Sequence, residues 1–101
     1  MNLVSIQKAM IDLMTRVTVP DSVLFRDLDG ESVLLETGSG CYYGLNEVGT
    51  RMWNLLSRHG QVGAAYRDLL AEYQVPSNEL QKDVIEFVGL LASRRLLEVT
   101  G

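Results

Sequence analysis

An α+β domain, with a three-stranded antiparallel meander followed by three helices, is the fold class the sequence predicts. Three observations lead there. Two β-rich runs, Val23 to Leu28 and Glu31 to Glu36, meet around Asp27-Leu28-Asp29-Gly30. An Asp-Gly pair between such runs is a strong hairpin signal, because glycine takes positive φ without steric cost. A second turn, Thr37-Gly38-Ser39-Gly40, returns the chain into a third run, Cys41 to Leu45. Beyond it, apolar residues recur at the three- and four-residue steps of helices.

Ahead of the meander, Leu3, Ile6, Met10, Leu13 and Met14 stand at helical spacing. Residues 1–15 are therefore expected to be an N-terminal extension, either partly ordered or a short amphipathic helix laid on the core. The alternative is a homodimer contact through its methionines, which adapt to irregular surfaces. Val17-Thr18-Val19 is β-branched, and Pro20-Asp21 ends it with a turn signal. In the third strand of the meander, period-2 alternation puts Cys41, Tyr43 and Leu45 on one face and Tyr42 on the other. The first three are expected to meet the helices.

That strand runs without a linker into a helix, Glu47 to His59. Asn46 is placed as its N-cap, with a side-chain oxygen able to accept a first-turn N–H bond. Glu47 suits the positive end of the helix dipole. Leu45, Gly49, Met52, Trp53 and Leu56 share one face, and Gly60 is placed as a C-terminal stop. Val62, Tyr66, Leu69, Leu70 and Tyr73 mark a second helix, broken at Val75-Pro76-Ser77, where Ser77 can cap the next. The third helix is expected from about Asn78 to Arg94. Leu80, Val84, Phe87 and Leu91 form its stripe; Ile85, Val88 and Ala92 widen it on one side and Leu90 on the other. This arc exceeds the ~100° of an ordinary surface helix. Such a helix is either buried on two sides or lends surface to something outside the chain. Leu96-Leu97-Glu98-Val99 reads as an extended tail.

The 101 residues make one domain, without repeats, low-complexity tract or linker. A net charge of −4 disfavours nucleic acid as a partner. One cysteine excludes an internal disulfide. Gln7, Lys8, Asp12 and Arg16 interrupt the N-terminal apolar residues, so neither signal peptide nor membrane span is expected, and a cytoplasmic location follows.

Enzyme motifs fail in turn. His59 is the only histidine and has no second histidine or cysteine nearby to build a metal site, so it reads as a solvent-facing residue. Cys41 reads as inert and half-buried, since nothing in its local sequence lowers a thiol pKa. Asp27 and Asp29 are explained by turn chemistry. Gly38-Ser39-Gly40 precedes a strand rather than a helix and lacks the phosphate-loop lysine. No catalytic constellation, metal site or cofactor motif emerges, which points to a binding role.

Two binding mechanisms suit a small sheet beside three helices. A winged helix on DNA needs a basic recognition helix, whereas the third helix mixes Glu79, Asp83 and Glu86 with Lys82, Arg94 and Arg95. The other mechanism is strand addition. The edge of a meander presents unpaired N–H and C=O groups to an extended peptide, and a helix with surplus apolar surface beside it makes a groove. The bland alternative is that Tyr42, Phe87 and Leu90 merely complete or cover the core.

The run from Val33 to Gly49 (VLLETGSGCYYGLNEVG), followed by Met52-Trp53 and Leu55-Leu56, resembles the coenzyme PQQ synthesis protein D family. Val75, Leu80, Asp83-Val84, Leu90-Leu91 and Arg95-Leu96-Leu97 fit its later pattern. The resemblance covers about residues 16–99 and implies a winged helix-turn-helix-like fold. It also implies a non-catalytic recognition element for ribosomally made, post-translationally modified peptides. Such an element binds a precursor's leader segment and presents it to a modifying enzyme: a radical enzyme, a leader protease or a cyclase. Both the PQQ protein and the discrete leader-binding proteins of lasso-peptide clusters fit this length. By this resemblance Cys41, Tyr42 and Tyr43 supply the edge for the added strand. Asp83, Phe87, Leu90 and Arg94 line the groove on one flank of the third helix; Ile85, Val88 and Ala92 mark the opposite flank. A cysteine at the first edge position departs from the polar residue expected there.

Overall fold

A computed structural model describes residues 11–100. Its elements run β1 (Val17–Thr18), β2 (Val23–Leu28), β3 (Glu31–Glu36), β4 (Cys41–Leu45), α1 (Glu47–His59), α2 (Val62–Glu72), α3 (Ser77–Ser93) and β5 (Glu98–Val99). The expected meander is β2-β3-β4, antiparallel throughout. Asp29 and Gly30 at its first turn both take positive φ, 62° and 96°, the requirement of a tight hairpin turn that follows the twist of its strands. β1 and β5 form a separate antiparallel pair that ties the start of the domain to its tail.

Strand register decides which side chains meet the helices. Phe25, Leu34 and Tyr43 stand opposite one another across the sheet, as do Asp27, Ser32 and Leu45. On β3 this inner row is buried at Ser32, Leu34 and Glu36. Against it α1 sets Met52, Trp53, Leu55 and Leu56, with the Trp53 ring stacked on Phe25 at a centroid distance of 6.0 Å. Val62, Ala65 and Leu69 of α2 and Leu80, Val84, Val88 and Leu91 of α3 complete the core, closed by Leu96 and Leu97. Burying each such side chain contributes roughly 1.5–3 kcal/mol before the conformational entropy it must offset.

The strand-to-helix junction is built as its sequence implies. Asn46 Oδ1 accepts the Gly49 N–H at 2.8 Å, and Gly60 ends α1 in the left-handed region at φ 67°. Beneath the junction two buried hydroxyls meet, Ser32 Oγ and Thr50 Oγ1, 2.7 Å apart. Thr50 donates to the Leu45 carbonyl, which leaves its oxygen to accept from Ser32. At the β3–β4 turn the Glu36 carboxylate accepts the N–H groups of Gly38 at 3.0 Å and Ser39 at 2.8 Å. Hydrogen bonding to Ser39, then to the backbone of Ser39 and Gly38, holds its pKa below the ordinary glutamate value.

Two expectations need correction, and a third falls mostly on residues outside those described. Ser77 does not cap α3: Pro76, fixed at φ −57°, takes the N-cap position without a side-chain bond, and its carbonyl accepts from Leu80. The helix expected over residues 1–15 lies mostly outside the described residues, and residues 11–15 form a turn rather than a helix. There Thr15 N–H bonds back to Asp12, while the Leu13 and Thr15 carbonyls accept the N–H groups of Gly63 and Val62. Cys41 is exposed rather than half-buried. Its row neighbours Val23 and Glu36 are covered, but Cys41 stands on the outermost strand, where the sheet ends.

Thr50→Val is expected to cost about 1–3 kcal/mol in urea unfolding, since it strands the Ser32 hydroxyl, with part recovered by adding Ser32→Ala. Asn46→Ala should cost about 1 kcal/mol through loss of the cap. Because the folded pKa of Glu36 is depressed, its contribution is complete above the unfolded pKa and is lost as pH falls through the folded value. Glu36→Gln should therefore weaken the fold at neutral pH and flatten the acid limb of the stability profile.

Candidate functional site

β4 has one strand neighbour, β3, so its far side is an open edge among the described residues. In an antiparallel sheet alternate residues point their N–H and C=O groups to opposite sides. The Thr37 N–H bonds to the Ser22 carbonyl, which sets the alternation in β3: Leu35 and Val33 bond towards β2, and Glu36, Leu34 and Ser32 towards β4. Cys41, Tyr43 and Leu45 opposite them are thereby engaged. Tyr42 and Gly44 turn their backbone groups outward. A Cβ built on Gly44 meets nothing within 4 Å, so no side chain stands over the sheet face at that point.

Beside that edge runs a groove. One part, about 440 Å³, is lined by Gly44, Leu45, Asn46 and Met52 on one wall and by Asp83, Glu86, Phe87 and Leu90 on the other. Towards the start of β4 a second depression brings Glu36, Cys41 and Tyr43 against Ser93, Arg94 and Arg95. Its floor is apolar: Tyr43, Leu45 and Phe87 pack partly on the core. Leu90 is 51% exposed, far from what a leucine needs if its only role is core packing. On the opposite flank of α3 Val88 is fully buried, with Ile85 and Ala92 partly covered. Packing covers much of that flank, where Ala92 borders a separate depression with Pro20 and Leu97, while Asp83, Phe87, Leu90 and Arg94 border the groove beside the strand edge.

Of the residues singled out from the sequence, Cys41, Tyr43, Asp83, Phe87, Leu90 and Arg94 border the groove. Tyr42 does not. Its side chain, 70% exposed, lies on the outer face of the sheet beside Leu24 and Leu35, and only its backbone faces the edge. Gly44, Met52, Glu86 and Arg95 border the groove without having been singled out. Glu86 is readable from its spacing between Asp83 and Leu90, and Met52 from its face shared with Leu45. Burial raises the Tyr43 pKa first of all, and the neighbouring Cys41 thiol adds to the rise; the Arg94 charge acts the other way. His59 pairs with Asp68 at 2.8 Å, remote from the groove in sequence and lining. Among the described residues no group of His, Cys, Asp or Glu could hold a metal ion, and no helix is long and apolar enough to cross a membrane.

Comparison with known proteins finds matches of two kinds. Among solved structures, the chain is similar to TbiB1 in complex with the TbiA(beta) leader peptide, at 33% identity and a TM-score of 0.78. That match covers 83% of this chain and 98% of TbiB1. A lasso peptide synthetase B1, also complexed with its leader peptide, shares the fold at a TM-score of 0.74 and 20% identity, over 82% of this chain and 98% of that one. No curated protein matches. The profile of coenzyme PQQ synthesis protein D (PqqD) matches residues 31–97, the stretch that holds the hairpin's second strand, the open edge and all three helices. The chain belongs to the coenzyme PQQ synthesis protein D family.

Proposed function

We propose that this protein binds the leader segment of a ribosomally synthesised precursor peptide, without catalysing a reaction, and delivers it to a modifying enzyme. The leader adds as a strand to β4, bonding to the outward backbone groups of Tyr42 and Gly44. Its inward side chains lie against Phe87, Leu90 and Met52. The partner enzyme is one that acts on such precursors: a radical enzyme, a leader protease or a cyclase.

The observation that carries this reading is the pairing of an unpartnered strand edge with an apolar helical flank that the core leaves free. Extended peptides are taken up in this way, with affinity from main-chain bonds and specificity from side-chain pockets. The likeness to TbiB1, solved with a leader peptide, supports it. So does the wall chemistry, because the part of the groove lined by Leu45, Met52, Phe87 and Leu90 is open and mostly apolar.

Two substitutions separate the backbone and side-chain parts of the contact, measured by calorimetry with the precursor's leader. Gly44→Pro removes one outward donor and leaves the β3 pairing whole; it should weaken binding by roughly three- to tenfold. Phe87→Glu puts an unpaired charge into the apolar wall and should weaken it at least about tenfold. Unchanged affinity in a folded Phe87→Glu protein would place the peptide elsewhere.

A further inference from the structure

α3 ends in a way that costs stability. The Leu96 N–H reaches back to the Leu91 carbonyl and the Arg95 N–H to that of Ala92, at 2.9 and 3.1 Å. Leu91 and Leu96 are both buried beneath the turn. This is the helix stop in which the residue just past the cap takes a left-handed conformation, a place that glycine fills most often. Here it is Arg95, at φ 62°. A side chain at that φ is strained, and such strain marks a place where function outweighs stability. The helix dipole does not require it, because Arg94 already stands at the C-cap as a cation beside the last carbonyls.

Arg95 and Arg94 stand at one end of the groove, beside Cys41 and Tyr43. Asp83 and Glu86 stand at the other, beside Leu45 and Asn46. Both acids lie beyond the first turn of α3, outside the reach of its dipole. Among the described residues the ion pairs are Arg51 with Glu72 and His59 with Asp68; Arg94, Arg95, Asp83 and Glu86 are in neither, and Glu36, which also borders the Cys41 end, has its carboxylate engaged by the Gly38 and Ser39 N–H groups. Opposite charges at the two ends of an apolar trough impose an order on whatever lies in it.

Building on the peptide-binding reading above, we propose that the groove reads charge order along the bound strand. Arg94 and Arg95 receive an acidic side chain at the Cys41 end, and Asp83 and Glu86 receive a basic one at the Asn46 end, with apolar residues between. β4 runs from Cys41 to Leu45, and antiparallel addition is the more stable pairing. The recognised segment therefore carries its basic residue N-terminal to the apolar ones and its acidic residue C-terminal. Arg95 is a specificity-determining residue retained at the expense of a better helix stop.

The test uses two capped synthetic peptides of alternating valine and threonine. One has lysines at its N-terminal end and glutamates at its C-terminal end; in the other these charges are exchanged. Amide NMR titration of the full chain should shift β4 and α3 signals, with the lysine-first peptide bound more tightly and its advantage shrinking as salt rises. Arg95→Gly should raise Tm by roughly 4 °C and weaken the lysine-first peptide by roughly three- to fivefold, while the exchanged peptide, whose lysines then face one cation fewer, should bind no more weakly than before. Arg95→Lys should keep the preference without the gain in Tm. Equal binding of the two peptides, with shifts still on β4 and α3, overturns the charge reading and leaves the groove. Equal weakening of both by Arg95→Gly also overturns it, because the residue would then act only on the fold. If neither peptide moves those signals, the groove reading falls and this one with it.

Discussion

Asn46 alone separates the last residue of β4 from the first of α1, and the angle between sheet and helices is set there. The side chain caps α1, its carbonyl accepts the Thr50 N–H, and the Thr50 hydroxyl fastens both the Leu45 carbonyl and Ser32 of the central strand. A flexible linker at this point would let the helical layer slide over the sheet. A direct link through paired buried hydroxyls does not, since sliding would leave polar groups unsatisfied in the core.

The open edge follows from that fixed angle. α1 supplies the layer directly under the sheet, through Trp53 against Phe25 and through Leu55 and Leu56, which share one core with Leu34. α3 packs its Val84, Val88 and Leu91 side into the remaining core, so its other flank is held alongside β4 without closing on it. The β1–β5 pair does related work at the other end. By holding the segment after α3 to the segment before β2, it fixes the C-terminal end of α3, where Arg94 and Arg95 lie.

Much of this was legible in the sequence because it rests on local chemistry. The Asp-Gly turn, the Asn46 cap and the Gly60 stop each work within a few residues, and α1 has the bounds its caps imply. Helical period placed the α3 residues on their flanks, but period alone has no sense of inside and outside. Only packing distinguishes the Val88 side from the Leu90 side. Cys41 was misjudged for the same reason: alternation gives it the face of Tyr43, while its exposure depends on where the sheet ends. The β1–β5 pairing joins segments about eighty residues apart; a β-branched run and an extended tail marked its two halves, but nothing local joined them. Arg95 was hidden more deeply, because glycine is the residue that announces such a helix stop and here it is missing.

The stacking of Trp53 on Phe25 has a practical side. Trp53 is the only tryptophan in the chain, 2% exposed, and it does not line the groove. Its ultraviolet emission therefore reports whether the sheet is still seated on α1, largely independent of what occupies the strand edge. A change in that light signals a loosened scaffold, while an occupied but intact molecule stays dark to it.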